Sequence, residues 1–205
     1  TRSVKKKPQA AKKPQVKNKT KTRCWWCGED PLYIEYHDKE WGRPVHADRQ
    51  IFEMLILEGF QAGLSWITIL RKRENFRRAF KNFDPKAILK FTKKDVARLM
   101  QDAGIVRNRL KIEGAIINAR LFLDVQKEFG TFDRYIWGFT QHKTLRDPRG
   151  RTRGKIPATS PESDALSKDL KKRGFKFVGS TICYAHMQAT GMVDDHTTDC
   201  FRHRR

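Results

Sequence analysis

The chain has 205 residues, 38% hydrophobic and 33% charged, enough apolar material for one buried core and too mixed for a coiled coil, a collagen or a repeat array. No apolar run approaches the roughly 20 residues that span a bilayer, and the basic opening segment lacks the apolar stretch of a secretory signal, so an intracellular protein with no membrane segment is expected. With 44 Lys and Arg against 23 Asp and Glu, the formal net charge is +21. That excess favours a polyanionic partner through counterion release, nucleic acid first and an anionic membrane surface second.

Residues 1–22 carry nine of the cations, no acid and no aromatic residue, and read as a disordered basic tail. Such a tail serves either as an arm adding nonspecific affinity for phosphate or as a solvated leader. The folded domain is expected over 23–205, opening with the aromatic-rich segment RCWWCGEDPLYIEYHDKEWG. Residues 48–58 predict a helix capped by Asp48 and apolar nearly all round, which suits burial. A second helix is predicted over 64–80, after a glycine-containing break. Helices follow over 93–103 and 107–129, joined across Gly104-Ile105-Val106. Another runs over 160–174, with Ser160 and Ser163 as competing caps and Gly174 as its stop, and a last one over 179–190 ends at Gly191. Period-2 runs flanked by hairpin turns are missing and 141–160 reads as a loop, so the expected class is all-α.

Three groups of residues could carry chemistry. The turn at Gly104, Ile105 and Val106 has the form of a helix-hairpin-helix element, in which backbone N–H groups meet a phosphate at a helix N-terminus. Arg107, Arg109 and Lys111 stand where a cation would reach the same phosphate, although such turns also serve plain helix packing. His196 and Cys200 have the i,i+4 spacing that puts two metal ligands on one face of a helical turn. Cys24 could complete a tetrahedral site either with His37 or, through a C-x2-C pair, with Cys27. The third group is aromatic: Trp25, Trp26, Tyr33, Tyr36 and Trp41 crowd one segment and Trp66 follows, enough to stack a flat ring on both faces or simply to build a core. Amid these, Glu58 continues the apolar face of Met54 and Leu55. A buried carboxylate needs either an Arg or Lys partner or a cationic or hydrogen-bonding ligand.

The segments RCWWCGEDPLYIEYHDKEWG, LILEGFQAGLSWITIL, QDAGIVRNRLKI and SDALSKDLKKRGFKFVGSTICYAHMQATGMVDDH, in that order, closely resemble the bacterial 3-methyladenine DNA glycosylase I family over about 23–200. The resemblance implies an all-α helix-hairpin-helix DNA glycosylase fold and an enzyme that flips 3-methyladenine out of alkylated double-stranded DNA and hydrolyses its N-glycosidic bond. It implies a structural Zn²⁺ on Cys24, His37, His196 and Cys200 that joins the two ends of the domain, and Glu58 as the base-recognition carboxylate. Trp26, Tyr33, Tyr36, Trp41 and Trp66 match the family's base pocket, while Phe60 stands where some members carry a polar residue. Asp194 and Asp195 are expected to be turn residues or outer partners of the metal site. A monomer is expected in the bacterial cytoplasm, held at the nucleoid by DNA, with free 3-methyladenine as product and no membrane partner. The rival expectation is a noncatalytic zinc-containing nucleic-acid-binding module.

Overall fold

The computed structural model describes residues 21–203. The reading of 1–20 as a disordered tail lies outside the described residues. The last two residues assigned to that tail are docked: Thr22 O accepts the Phe201 N–H at 2.9 Å and the Lys21 ammonium sits 4.9 Å from the Phe201 ring centroid.

All regular elements among the described residues are helical, and the only β pairings are two isolated parallel bridges, Leu145 with Val193 and Arg151 with Thr197. The helices are α1 (Pro31–Lys39), α2 (Asp48–Gln61), α3 (Trp66–Ala79), α4 (Pro85–Ile88), α5 (Lys93–Gln101), α6 (Arg109–Phe129), α7 (Phe132–Gly138), α8 (Pro161–Arg173) and α9 (Ser180–Ala189). None is long and apolar enough to cross a membrane. The all-α expectation therefore stands, with α1, α4 and α7 as additions. α1 hid in an aromatic segment with no apolar period, yet its start is chemically marked: Pro31 is its first residue, and the Asp30 carboxylate accepts the N–H groups of Leu32 and Tyr33.

α2 is the axis of the fold. Every residue from Ile51 to Phe60 is buried, because α3, α6, α7 and α9 pack around it. Phe60 joins Phe76 and Phe80 in a tilted ring cluster, with centroids 4.8 and 5.7 Å away. Phe52 meets Phe122 at 4.7 Å on another side of the helix. The departure at Phe60 is thus a core position.

Two capping expectations resolve differently. Ser160 and Ser163 do not compete: the Ser160 hydroxyl accepts the Ser163 N–H at 3.2 Å and the Ser163 hydroxyl accepts the Ser160 N–H at 2.8 Å, a reciprocal cap that opens α8. Gly174, at φ 97°, ends it in the left-handed region as expected. Asp48 is not the cap of α2. That place falls to Ala47, and the Asp48 carboxylate instead accepts the N–H groups of Phe132 and Asp133, both at 2.8 Å, at the start of α7. A carboxylate there satisfies orphan donors and favours the helix dipole.

Candidate functional site

A cavity of about 280 Å³ opens between α1, α2, α3 and α9. Tyr33 and Tyr36, three residues apart on α1, share the helix face that meets it. Trp26 enters from the short 3₁₀ turn before α1, Trp41 from the residues after α1, and Trp66 from the first position of α3. All five predicted aromatic residues are therefore brought together. The rings do not form a parallel stack among themselves. Trp26 meets Trp41 at 4.7 Å and 65°, and Tyr36 meets Trp66 at 5.6 Å and 50°, so they wall the cavity edge to face.

Glu58 borders the same space from α2. Its side chain is buried, and among the described residues no Arg or Lys reaches it and Oε2 takes no hydrogen bond. Of the two sequence alternatives, no partner cation is found among the described residues. Burial pushes the Glu58 carboxyl up to about 8, because ionising it there forfeits hydration that nothing replaces. The indole N–H groups of Trp26 and Trp66 are likewise buried and unpartnered. Aromatic walls with an uncompensated carboxyl and free donors form a receptacle for a flat heterocycle with polar edges.

Gln61, Ile156, Ala185 and Gln188 also line the cavity. Sequence reasoning missed them. Ala185 and Gln188 sit three apart on α9, a face legible only once α9 is known to lie against α2.

Beside the aromatic wall lies a donor cluster. The ligand atoms of Cys24, His37 and Cys200 fall within 4.8 Å of one another, and all three residues are buried. Cys200 Sγ is 3.4 Å from His37 Nε2. The His196 ring centroid is 5.1 Å from that of His37, and its Nε2 is buried without a partner. Asp38 Oδ1 accepts from His37 Nδ1 and Asp194 Oδ1 from His196 Nδ1, both at 2.8 Å, which leaves each Nε2 with its lone pair directed elsewhere. Two thiols and one imidazole so arranged are a donor set that could hold a metal ion; His196, the fourth predicted ligand, stands beside them but its ring nitrogens are not within that distance of all three. The two thiols perturb each other: the Cys24 thiol beside it draws Cys200 down, while Cys200 and burial hold the Cys24 thiol up. Cys27 is turned away, its Sγ donating to the Cys24 carbonyl oxygen at 3.2 Å. The helical turn expected from His196 to Cys200 is not formed. The stretch is irregular, fixed by Thr197 N–H donating to Cys24 Sγ at 3.4 Å and by the Arg151 bridge.

The third predicted group is only partly as expected. Gly104, Ile105 and Val106 do join α5 to α6, and Asn108 caps α6 by accepting the Lys111 N–H. Gly104 is needed for space rather than for a left-handed turn: a Cβ there would lie 2.9 Å from Asp102 Oδ1 and 3.0 Å from the Asn75 carboxamide. The Gly104 N–H donates to Asp102, and Ile105 is buried. Arg107 and Arg109 are exposed. Lys111 is not available to a phosphate. Its side chain is buried, and Nζ donates to the carbonyl oxygens of Phe60 at 3.0 Å and Ala62 at 2.6 Å, closing the C-terminal end of α2. A cation near a helix end found those carbonyls before any solvent-side partner.

Fold and site together define a helical protein with an aromatic base-sized pocket, a buried free carboxyl and a Cys/His donor cluster at its back. The chain matches the methyladenine glycosylase family model over residues 26–203, and it belongs to that family. It is 52% identical to DNA-3-methyladenine glycosylase 1 of Escherichia coli, over 87% of this chain and 95% of that one. It is 50% identical to DNA-3-methyladenine glycosylase of Haemophilus influenzae, over 87% and 96%. Among solved structures, it superimposes with a TM-score of 0.85 on a point variant of 3-methyladenine DNA glycosylase I in complex with 3-methyladenine, at 33% identity over 89% of this chain and 98% of that one.

Proposed function

We propose that this protein is a base-excision repair glycosylase that releases 3-methyladenine from alkylated double-stranded DNA. The observation that carries the reading is Glu58, a buried carboxyl with no hydrogen-bond partner on Oε2 among the described residues, in a cavity walled by aromatic rings. Methylation at N3 makes adenine cationic within the nucleotide. Its glycosidic bond is weakened, and the base can depart as a neutral molecule without strong acid catalysis. The C1′–N9 bond breaks with its electron pair passing to the base, and water supplies the new oxygen on C1′ and gives its proton to solvent.

The residues then have to select and orient. Trp26, Tyr33, Tyr36, Trp41 and Trp66 present electron-rich rings that attract a cationic heterocycle more than a neutral one. Glu58 accepts hydrogen bonds from the exocyclic amine edge. Raised to about 8 by burial, its carboxyl loses its proton as the positive ring arrives and repays the desolvation. Neutral adenine offers no such repayment, so discrimination is a difference in binding.

Cys24, His37, His196 and Cys200 would hold one structural Zn²⁺. Two thiolates neutralise the ion, and four protein ligands leave no position for a reacting water. Trp41 lies between cluster and cavity, edge to face with His196 at a ring-centroid distance of 4.7 Å, so the metal site would hold one pocket wall in place. The α5–α6 turn acts as a helix-hairpin-helix clamp, with the free N–H groups of Val106 and Arg107 and the side chains of Arg107 and Arg109 meeting backbone phosphate. The protein works as a cytoplasmic monomer on bacterial DNA.

The deciding experiment is incubation with methylated duplex DNA followed by chromatography of released bases. Free 3-methyladenine is expected; DNA binding without any release would favour a noncatalytic binding module instead.

A further inference from the structure

Asp194 and Asp195 are sequence neighbours with opposite allegiances. Asp194 faces the donor cluster through His196 Nδ1. Asp195 faces away from it. It is wholly buried, and its carboxylate accepts from Arg151 Nε at 2.7 Å, Tyr184 OH at 2.6 Å and Gln188 Nε2 at 2.9 Å. Arg151 is itself tied to Asp147 at 2.7 Å and to Thr197 by a bridge, so the three donors come from the 141–160 loop and two turns of α9. An ionised carboxylate accepts only, and the Gln188 carboxamide is thereby fixed in one of its two orientations, with the NH₂ group on Asp195. Its Oε1 makes no hydrogen bond among the described residues, and the residue borders the cavity opposite α2.

We infer that Gln188 is a specificity residue: its Oε1, aimed by Asp195, accepts the second N–H of the exocyclic amine of the base whose first N–H goes to Glu58. This rests on the pocket being a methyladenine site. An amine has two donors, and the cavity offers one carboxyl from α2 and one carbonyl oxygen from α9. A base with a carbonyl in place of the amine would set its oxygen against the Gln188 oxygen, leaving that acceptor unpaired in a dry site. Asp195 is a positioning residue: held by Arg151, Tyr184 and Gln188 and wholly buried, it acts on the base only through Gln188.

The test compares free 3-methyladenine with 3-methylpurine, which lacks the amine, as ligands of the full chain by tryptophan fluorescence or calorimetry. Wild type should prefer 3-methyladenine. Gln188→Met should weaken 3-methyladenine by about three- to tenfold, the range of one neutral hydrogen bond, and leave 3-methylpurine unchanged. Asp195→Asn, which frees the carboxamide to turn, should lose the same preference; it serves as the readout if Gln188→Met fails to fold. An equal loss for both bases, or none for either, would overturn the role of Gln188. If wild type itself neither binds 3-methyladenine nor excises it from DNA, the glycosylase reading fails as well, a result distinct from an active wild type whose Gln188→Met variant keeps its preference.

Discussion

Lys111 Nζ lies 2.6 Å from the carbonyl oxygen of Ala62, and this bond ties the first turn of α6 to the end of the helix that carries Glu58. Lys111→Met removes two charge-assisted bonds to backbone carbonyls, at Phe60 and Ala62, and should cost about 2 to 4 kcal/mol of stability in denaturant unfolding. The salt dependence of DNA binding should stay as in wild type. Arg107→Ala and Arg109→Ala should do the reverse, leaving stability within about 0.5 kcal/mol and reducing the log-log salt slope by about 1 each.

Glu58→Gln should keep the fold and DNA affinity while losing most release of 3-methyladenine from methylated DNA. It should also change the pH dependence of stability. The folded-state pKa is raised from 4.5 to about 8, so the stabilising proton is fully present below pH 4.5 and lost as the pH rises through 8. Thermal melts should therefore favour the Gln variant progressively over that window and by a constant margin above it, at most about 1.4 kcal/mol per pH unit. A variant that still excises the base at the wild-type rate would remove Glu58 from the mechanism.

Metal analysis of the intact chain should find one zinc. Cys200→Ser should lose it and melt roughly 10 °C lower, and a strong chelator should act on wild type in the same direction. Gly42→Ala is a subtler probe. At φ 72° the backbone is left-handed, and the added Cβ would lie 2.7 Å from His196 Cε1, so zinc affinity should fall with all four ligands intact.

His186 on α9 is wholly buried, with neither ring nitrogen bonded, and burial depresses it from 6.5 to about 3. The unfolded chain takes up this proton first. Stability should therefore fall as the pH drops from 6.5 toward 3. His186→Leu should melt higher than wild type at neutral pH, since it removes unsatisfied nitrogens worth about 1 to 3 kcal/mol, and the gap should widen over that acid window.

Much of the site was legible before any coordinates. Glu58 stood out because a carboxylate on an apolar helix face is costly unless it has a use, and the aromatic residues were recognisable by crowding alone. What escaped were partners set by distance in space. Asp48 reads as a local cap, yet the donors it satisfies belong to Phe132 and Asp133. Lys111 reads as one more cation beside a hairpin, yet it is spent on α2. Asp194 and Asp195 are indistinguishable as a pair of acids, and only the turn between them sends one to the donor cluster and the other to Gln188.

The sequence by itself determined the helical class, the buried α2 and the family, and it marked the aromatic, Cys and His residues worth placing, since each follows from local period, residue chemistry or long ordered segments. Tertiary structure decided which polar groups remain unspent. A hydrogen-bonding group is free for a ligand only when packing has brought it no other partner, and that depends on residues far away in the chain. It is why Glu58 borders the cavity with Oε2 unbonded among the described residues while Lys111, nearly as buried, is spent on backbone carbonyls.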